Sequence, residues 1–358
     1  MATKFYKLRV KKIEKSTADC AIISFDVPSE ISNAFAFKQG QYLTLSTQID
    51  GLEVRRSYSL CSSPLDKEWK VGIKKVEGGL FSTFANEVLK EGDMLEVMPP
   101  EGKFYVDVDS EQQRNFVAFA AGSGITPMVS IIKTHLASEP KSTFKLFYIN
   151  QKASTVILKE ELEALKNKYM DRFEIYYFLT KQQRSVPFLN GRLSEEKLEI
   201  IFNSICDATL IDHYFICGPE AMIHLVKDYL AEANVKTEQV HFELFGTDQK
   251  KQNQKKEALQ SSFKGKTCDL TIIEGGKSMQ ITMEQGSDNV LDTALNNSAD
   301  LPFACKGGVC ATCKAKVVEG SVDMLLSYGL EPDEIEDGYI LTCQSIPTSD
   351  TLIVDFDI

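Results

Sequence analysis

The sequence contains no run of eighteen apolar residues, so no helix able to cross a bilayer is expected. Its start, Met-Ala-Thr-Lys-Phe-Tyr-Lys-Leu-Arg-Val, is basic but lacks the apolar stretch of a secretory leader, and no signal peptide is expected. It has no excess of basic residues. Lys and Arg number 40 against 51 Asp and Glu, which argues against a nucleic-acid-binding chain. It has no even set of cysteines either. There are nine, and Cys20, Cys61, Cys206, Cys217 and Cys268 are scattered, which fits a reducing cytoplasm better than a disulfide framework. No internal repeat is visible.

What is present suggests two or three domains in 358 residues, with a 43% hydrophobic content able to fill substantial cores. The net charge of −11 is uneven: from Cys268 onward there are 16 acidic and 4 basic residues, net −12, and the remainder is +1. Such an acidic segment steers a basic partner or simply keeps the protein soluble; composition leaves both open.

Residues 1–110 read as all-β, with strands predicted at Ala21–Val27, Gln41–Thr47, Ser57–Cys61, Trp69–Val76 and Met94–Met98, suggesting a small antiparallel barrel. Residues 111–247 change character. Predicted strands Phe116–Ala120, Phe144–Ile149, Phe173–Leu179, His213–Cys217 and Val240–Phe245 alternate with helical stretches Met128–Ala137, Leu158–Tyr169 and Pro219–Ala231, the pattern of a parallel α/β sheet. Residues 248–266 are Lys- and Gln-rich and read as a linker. Fully flexible, about nineteen residues would span roughly 24 Å; a short helix is the alternative, because Lys, Glu, Ala and Leu are good helix formers. Residues 267–358 open on a hairpin, Asp269–Glu274 and Ser278–Met283, followed by a helix at Val290–Asn296.

The most specific motif is Cys305-x4-Cys310-x2-Cys313, with Cys343 after a gap of twenty-nine residues. This is the plant-type ligand spacing of a [2Fe–2S] cluster, which exchanges one electron at a time. Gly307 and Gly308 let the loop curl so that backbone N–H groups point at the sulfurs. A structural zinc site or a redox C-x-x-C pair are the alternatives, but zinc sites usually show two cysteine pairs and here the fourth cysteine stands alone.

Three further segments carry chemistry. Gly122-Ser-Gly124-Ile-Thr126-Pro127 ends a predicted strand and opens a helix, where glycines admit a pyrophosphate and the helix N-terminus favours negative charge; the third fingerprint glycine is missing. Cys217-Gly218-Pro219 closes another strand in the same manner. Arg55-Arg56-Ser57-Tyr58-Ser59 offers a guanidinium suited to phosphate and a ring suited to stacking on a flat heterocycle, with Arg56 and Tyr58 on one face and Ser57 and Ser59 on the other. Gly78-Gly79-Leu-Phe-Ser82-Thr83 reads as a turn into a helix whose hydroxyls and N–H groups suit a second phosphate. Each of these also has a plain structural reading as a tight turn, an N-cap or a satisfied strand.

Together these segments resemble the ferredoxin–NADP reductase superfamily, and the whole chain resembles its three-part members with the iron–sulfur domain last. The resemblance implies an antiparallel FAD-binding β-barrel, an NAD(P)-binding α/β domain and an α+β β-grasp ferredoxin domain. It implies that Arg56 binds the FAD pyrophosphate, that Tyr58 stacks on the isoalloxazine, and that Ser57 and Ser59 lie on the flavin strand with Ser59 near N5. Gly79, Ser82 and Thr83 match the second FAD-phosphate motif. Gly122, Gly124, Thr126 and Pro127 would hold the dinucleotide, and Cys217 and Gly218 would line the nicotinamide. Glu243 and Phe245 resemble the E-x-F element beside the flavin, which makes Ser59, Cys217 and Glu243 the expected catalytic group. The segments Ala304–Lys314, Val317–Met324, Leu330–Ile335 and Gly338–Ser345 are similar to those of reductase components that serve bacterial multicomponent oxygenases.

The expected function is electron transfer from NAD(P)H through FAD and the [2Fe–2S] cluster to an oxygenase component of a multicomponent monooxygenase. Hydride donors deliver two electrons and the cluster takes one, so a flavin is needed between them. A di-iron ligand set is not visible, so oxygen chemistry belongs to another polypeptide. Where an NAD site usually places a carboxylate, the chain reads Tyr148-Ile-Asn150-Gln-Lys152; Lys152, Lys181 and Arg184 either meet a 2′-phosphate or are solvated surface charges, and NADPH is expected over NADH. A general electron donor to several acceptors, and a sensor built on a structural metal site, are the competing readings.

Overall fold

The structure is a computed structural model that describes residues 4–245, 249–263, 265–286 and 288–358. The N-terminal Met1–Thr3, on which the leader reading rests in part, and the expected boundary at 247/248 lie outside the described residues. Contacts divide the chain into one unit at Phe5–Phe245 and another that includes 246–358.

The first unit begins with β1 (Tyr6–Thr17), β2 (Cys20–Asp26), β3 (Tyr42–Ile49), β4 (Leu52–Ser59), β5 (Trp69–Lys74), α1 (Leu80–Glu87) and β6 (Met94–Val97). The six strands form an antiparallel sheet in the order β4-β3-β6-β1-β2-β5. Leu60, just past β4, bridges to Val71 of β5 and closes the sheet on itself. The expected strand Ser57–Cys61 is therefore the end of a longer one. β1 escapes the sequence reading because its outward positions are mostly Lys and Glu, leaving only Leu8 and Val10 fully buried along its first half.

Next come β7 (Asn115–Ala121), α2 (Ile125–Ser138), β8 (Thr143–Asn150), α3 (Lys159–Lys168), β9 (Phe173–Leu179), α4 (Glu195–Ile200), β10 (His213–Gly218), α5 (Glu220–Glu232) and β11 (Val240–Leu244). All pairings are parallel and the order is β11-β10-β7-β8-β9. The chain reverses its direction of winding between β7 and β10, so the crevice beyond their carboxyl ends is the place where such sheets bind ligands. Barrel and sheet share buried side chains: Ile22 and Phe104 pack in the same cluster as Phe116, Ile131 and Phe215. Far from that crevice, a buried Glu139 carboxylate is gripped by Arg114, His135 and Ser142. Burial works against its charge, but those hydrogen bonds outweigh it and hold its pKa down to about 2.

The second unit opens with α6 (Gln249–Ser262), fourteen residues long. Most of the segment expected as a linker is thus helical, as its helix-forming composition allows. Lys255 reaches Asp323 and the Met324 carbonyl, each at 2.7 Å, and Lys256 pairs with Asp288, so the helix is fastened to its own unit. The remainder comprises β12 (Thr267–Glu274), β13 (Lys277–Glu284), α7 (Val290–Asn296), β14 (Lys314–Glu319), β15 (Val322–Met324), α8 (Pro332–Glu336), β16 (Tyr339–Leu341), β17 (Ser345–Pro347) and β18 (Thr351–Asp355). A mixed sheet in the order β13-β12-β18-β14-β16 packs against α7 around Leu270, Leu291, Leu341 and Leu352, with β15 and β17 as a separate pair. Among the described residues no helix is long and apolar enough to cross a membrane.

Candidate functional site

In the first unit, β7 and β10 lie side by side with Ala120 opposite Cys217, so their two glycine-bearing ends meet. A Cβ on Gly124 would lie 2.2 Å from the Cys217 carbonyl oxygen, and one on Gly218 would lie 2.9 Å from Ala121 Cβ. Only glycine permits that interlock. Gly122 adopts φ +54° with open space around its Cα, the geometry of a backbone left bare for a ligand to approach. Thr126 caps the turn by donating to the Ser123 carbonyl at 3.0 Å, and Pro127 sits buried in the first turn of α2. The methyl group of Thr126 faces Gly72 of β5, where a Cβ would come within 2.7 Å. Gly72 was missed in the sequence; a lone glycine inside a strand pattern is the available signal for such close approach.

Three side chains converge beside this crevice. Cys217 and Glu243 are register partners on adjacent parallel strands. Ser59, at the end of β4, donates from Oγ to Glu243 Oε2 at 3.0 Å. Residues 184 positions apart in the chain thus meet where barrel and sheet adjoin. Desolvation dominates the electrostatics: it raises the Glu243 pKa to about 8, against the smaller opposing effect of the Ser59 hydrogen bond. The Cys217 thiol is fully buried, and burial followed by the neighbouring Glu243 pushes its pKa well up. The group therefore holds a proton on a carboxyl near neutral pH, beside an uncharged thiol. Phe245, two residues after Glu243, is 40% exposed.

Along β4, Arg56 is exposed, and Tyr58 packs its ring 5.6 Å from Phe81 at the start of α1. Ser57 shares a hydrogen bond with Thr44 at 3.1 Å, on the side of the strand opposite Tyr58. Gly79 precedes α1 and a Cβ there would strike Ser82 Oγ at 2.6 Å. The Ser82 hydroxyl donates to the Gly79 carbonyl and accepts from Val76 N–H, so it shapes the turn, while Thr83 N–H bonds back to Gly79. Guanidinium, ring and tight turn are the groups a flavin dinucleotide needs, and they fit FAD. Lys152, Lys181 and Arg184 are all exposed, with Arg184 also donating to the Tyr177 carbonyl at 2.8 Å.

In the second unit, the cysteine loop takes left-handed conformations at Lys306, Gly308 and Ala311, with φ of 52°, 74° and 53°. Gly308, and not Gly307, is the required glycine, since a Cβ there would press to 2.9 Å against Gln344. Cys305 lies within hydrogen-bonding reach of Cys310, and Cys313 of Cys343. Among the described residues no three cysteine, histidine or carboxylate side chains converge on one point. Two close pairs of thiols would suit the four-cysteine ligand set of a [2Fe–2S] cluster. Gly307 N–H donates to Cys305 Sγ at 3.3 Å, and the Cys310 thiol, helped by backbone N–H groups, lowers the Cys305 pKa. Cys313 and Cys343 are 3% and 4% exposed, while Cys305 and Cys310 are partly exposed, so the loop end of the site is the one nearer solvent. Gln344 braces the loop by donating to the Lys306 carbonyl at 3.0 Å. Gly329 lets its segment approach Ala311 N and donates to the Gly308 carbonyl at 2.9 Å. Neither brace is readable from the cysteine spacing.

Comparison with known proteins agrees with each part. The oxidoreductase FAD-binding domain matches residues 7–105, the oxidoreductase NAD-binding domain 119–228, and the 2Fe-2S iron-sulfur cluster binding domain 272–348. The chain is 40% identical over 355 residues to one of the subunits of 1,2-phenylacetyl-CoA epoxidase from Escherichia coli strain K12, covering 99% of this chain and 98% of that protein. It is 32% identical to the ferredoxin reductase component of 3-ketosteroid-9-alpha-monooxygenase of Rhodococcus rhodochrous, over 98% of this chain and 96% of that protein. The solved structure of phthalate dioxygenase reductase has the same fold, with a TM-score of 0.63, 98% coverage of both chains and 23% identity.

Proposed function

The chain belongs to the ferredoxin–NADP reductase superfamily, as a reductase component of an oxygenase system with FAD, NAD and [2Fe–2S] domains, and we propose that it draws electrons from NADPH for a phenylacetyl-CoA epoxidase. When bound, the flavin turns a two-electron hydride donor into a source of single electrons, and the cluster relays them one at a time. The observation that carries the reading is the meeting of Ser59, Glu243 and Cys217 at the switch point of the parallel sheet.

The chain's residues divide the work. Gly122, Gly124, Thr126 and Pro127 bind the dinucleotide pyrophosphate, with N–H groups of the turn facing the anion. Cys217 and Gly218 would line the nicotinamide; the buried thiol puts no charge beside the ring, and Gly218 lets the end of β10 pack closely on Ala121. Arg56 neutralises the FAD phosphates, Tyr58 covers one face of the flavin, and Gly79, Ser82 and Thr83 shape the second phosphate turn. Ser59 and Glu243 hold a proton at the Glu243 carboxyl, hydrogen-bonded to Ser59 Oγ, and Phe245 would lie beside the flavin as the second member of the E-x-F element. Cys305, Cys310, Cys313 and Cys343 hold the cluster. Lys152, Lys181 and Arg184 receive the 2′-phosphate, supported by the absence of a carboxylate among Asn150, Gln151 and Lys152 at the end of β8. We take the domains as 1–110, 111–247, a linking segment 248–266, and 267–358, in keeping with the three matched ranges. A reducing, cytoplasmic setting suits five scattered thiols beside a cysteine-ligated cluster.

The experiment is reconstitution. The purified chain is added to the oxygenase component of phenylacetyl-CoA epoxidase with substrate, and product is followed with NADPH and with NADH. Product formation coupled to NADPH oxidation is expected. Robust cytochrome c reduction without product would move the acceptor to another oxygenase, and equal KM values for the two nucleotides would remove the NADPH preference.

A further inference from the structure

Tyr148 lies on β8, opposite Ala120 of β7 and two residues before the end of the strand. Its side chain is fully buried, and its hydroxyl is the polar end of an otherwise apolar cluster. That hydroxyl donates to the Gly122 carbonyl at 2.9 Å. The Ile157 N–H stands near the same oxygen. The Asn150 side chain stands beside it, although its buried amide nitrogen makes no well-formed hydrogen bond. One atom therefore ties together the glycine turn at the end of β7 and the segment 151–157 that follows β8. That segment is anchored in turn to the barrel, where Leu158 N–H bonds Ser16 Oγ at 2.8 Å. Gly122 is the residue with φ +54° and open space above it, so the direction of its peptide decides which way the turn's N–H groups point.

We propose that Tyr148 is a positioning residue for pyridine-nucleotide binding, its hydroxyl fixing the Gly122 peptide and the spacing between the pyrophosphate turn and the 151–157 segment at the adenosine end. The inference rests on the reading of residues 122–127 as the dinucleotide turn. Removing the hydroxyl leaves the Gly122 carbonyl without its partner, and the turn relaxes to recover one. The nucleotide, which touches both segments, then meets a misaligned site. The flavin strand and the Ser59–Glu243 pair are left in place, so the loss falls on binding.

The test uses full-length holoprotein and Tyr148→Phe, with Tyr214→Phe as control. Tyr214 is equally buried, lies in the same sheet and donates to the Ala208 carbonyl at 3.0 Å, remote from the turn. KM and kcat for NADPH are measured with ferricyanide, Kd for NADP+ by difference spectroscopy, and FAD content and melting temperature alongside. Y148F is expected to raise KM and Kd about tenfold, equivalent to about 1.4 kcal/mol, with kcat within twofold and FAD retained. Y214F is expected to lower the melting temperature with KM unchanged. Wild-type KM in Y148F, or the same KM rise in both variants, overturns the proposal. If Y148F does not retain FAD, Kd for NADP+ of the FAD-reconstituted variant decides: a rise supports the positioning role and a wild-type value overturns it. A wild-type protein with no saturable oxidation of NADPH or NADH overturns the dinucleotide reading itself, a result distinct from a failure of Y148F alone.

Discussion

Gly124→Ala is the sharpest perturbation of the crevice. The added Cβ would sit 2.2 Å from the Cys217 carbonyl oxygen and 2.6 Å from its carbon, both backbone atoms that cannot rotate away. Ordinary contact begins near 3.4 Å, so the ends of β7 and β10 must part by about 1 Å. Overpacking of this kind costs about 2–3 kcal/mol, which for a unit of this size lowers the melting temperature by roughly 4–12 °C. The same displacement moves the nicotinamide wall relative to the flavin strand, and misplacement of about 1 Å costs on the order of a hundredfold in rate. Gly122→Ala is the informative companion. Nothing lies within 4 Å of its Cβ, so its cost is the left-handed backbone alone, about 1–2 kcal/mol. Anaerobic stopped-flow reduction of the flavin by NADPH should therefore slow far more in G124A than in G122A, with melting temperatures in the same order. G124A with wild-type flavin reduction and wild-type melting would refute the interlock of the two turns.

Glu243→Gln should remove an inflection near pH 8 from the pH profile of flavin reduction, since desolvation raises that carboxyl to about 8. Because the folded pKa lies above the unfolded one, the wild-type apoprotein gains stability below the ordinary carboxylate range and loses it as pH rises towards 8; melting curves of E243Q should lack that slope. Glu139 has the opposite sign: held down to about 2, it contributes stability above its unfolded pKa of 4.5 that is lost as pH falls towards 2, and Glu139→Gln should cost about 3–5 kcal/mol at neutral pH by thermal denaturation. Cys343→Ser should abolish iron and sulfide content and cytochrome c reduction while ferricyanide reduction by NADPH persists; retained cytochrome c reduction would contradict the relay through the cluster.

The cysteine spacing and the alternation of strands and helices were legible in the sequence because each rests on local pattern. Cys305, Cys310 and Cys313 lie within nine residues, and β7, β8, β9 and β10 are apolar runs with clear boundaries. The two glycine-bearing turns were also legible one at a time. Their interlock was not, because the contact of Gly124 with Cys217 depends on the strand order, which brings β7 beside β10 across about ninety residues of intervening chain. Gly72 and Gln344 were hidden for the same reason: each acts on a partner that is distant in sequence. β1 was missed because a barrel strand with a solvent face rich in Lys and Glu has too few buried positions to register. The helix at Gln249–Ser262 was only half legible, since Lys- and Gln-rich composition suits both a tether and a helix and the anchoring acids, Asp288 and Asp323, come later in the chain.

The central claim is that one chain accepts a hydride and releases single electrons. Its most direct test is an anaerobic titration of the purified protein with NADPH, following flavin absorbance and the EPR spectrum together. The account predicts bleaching of the flavin accompanied by the signal of a reduced [2Fe–2S] cluster. A protein that binds no flavin, or whose four cysteines hold zinc and stay silent as NADPH is consumed, would contradict it.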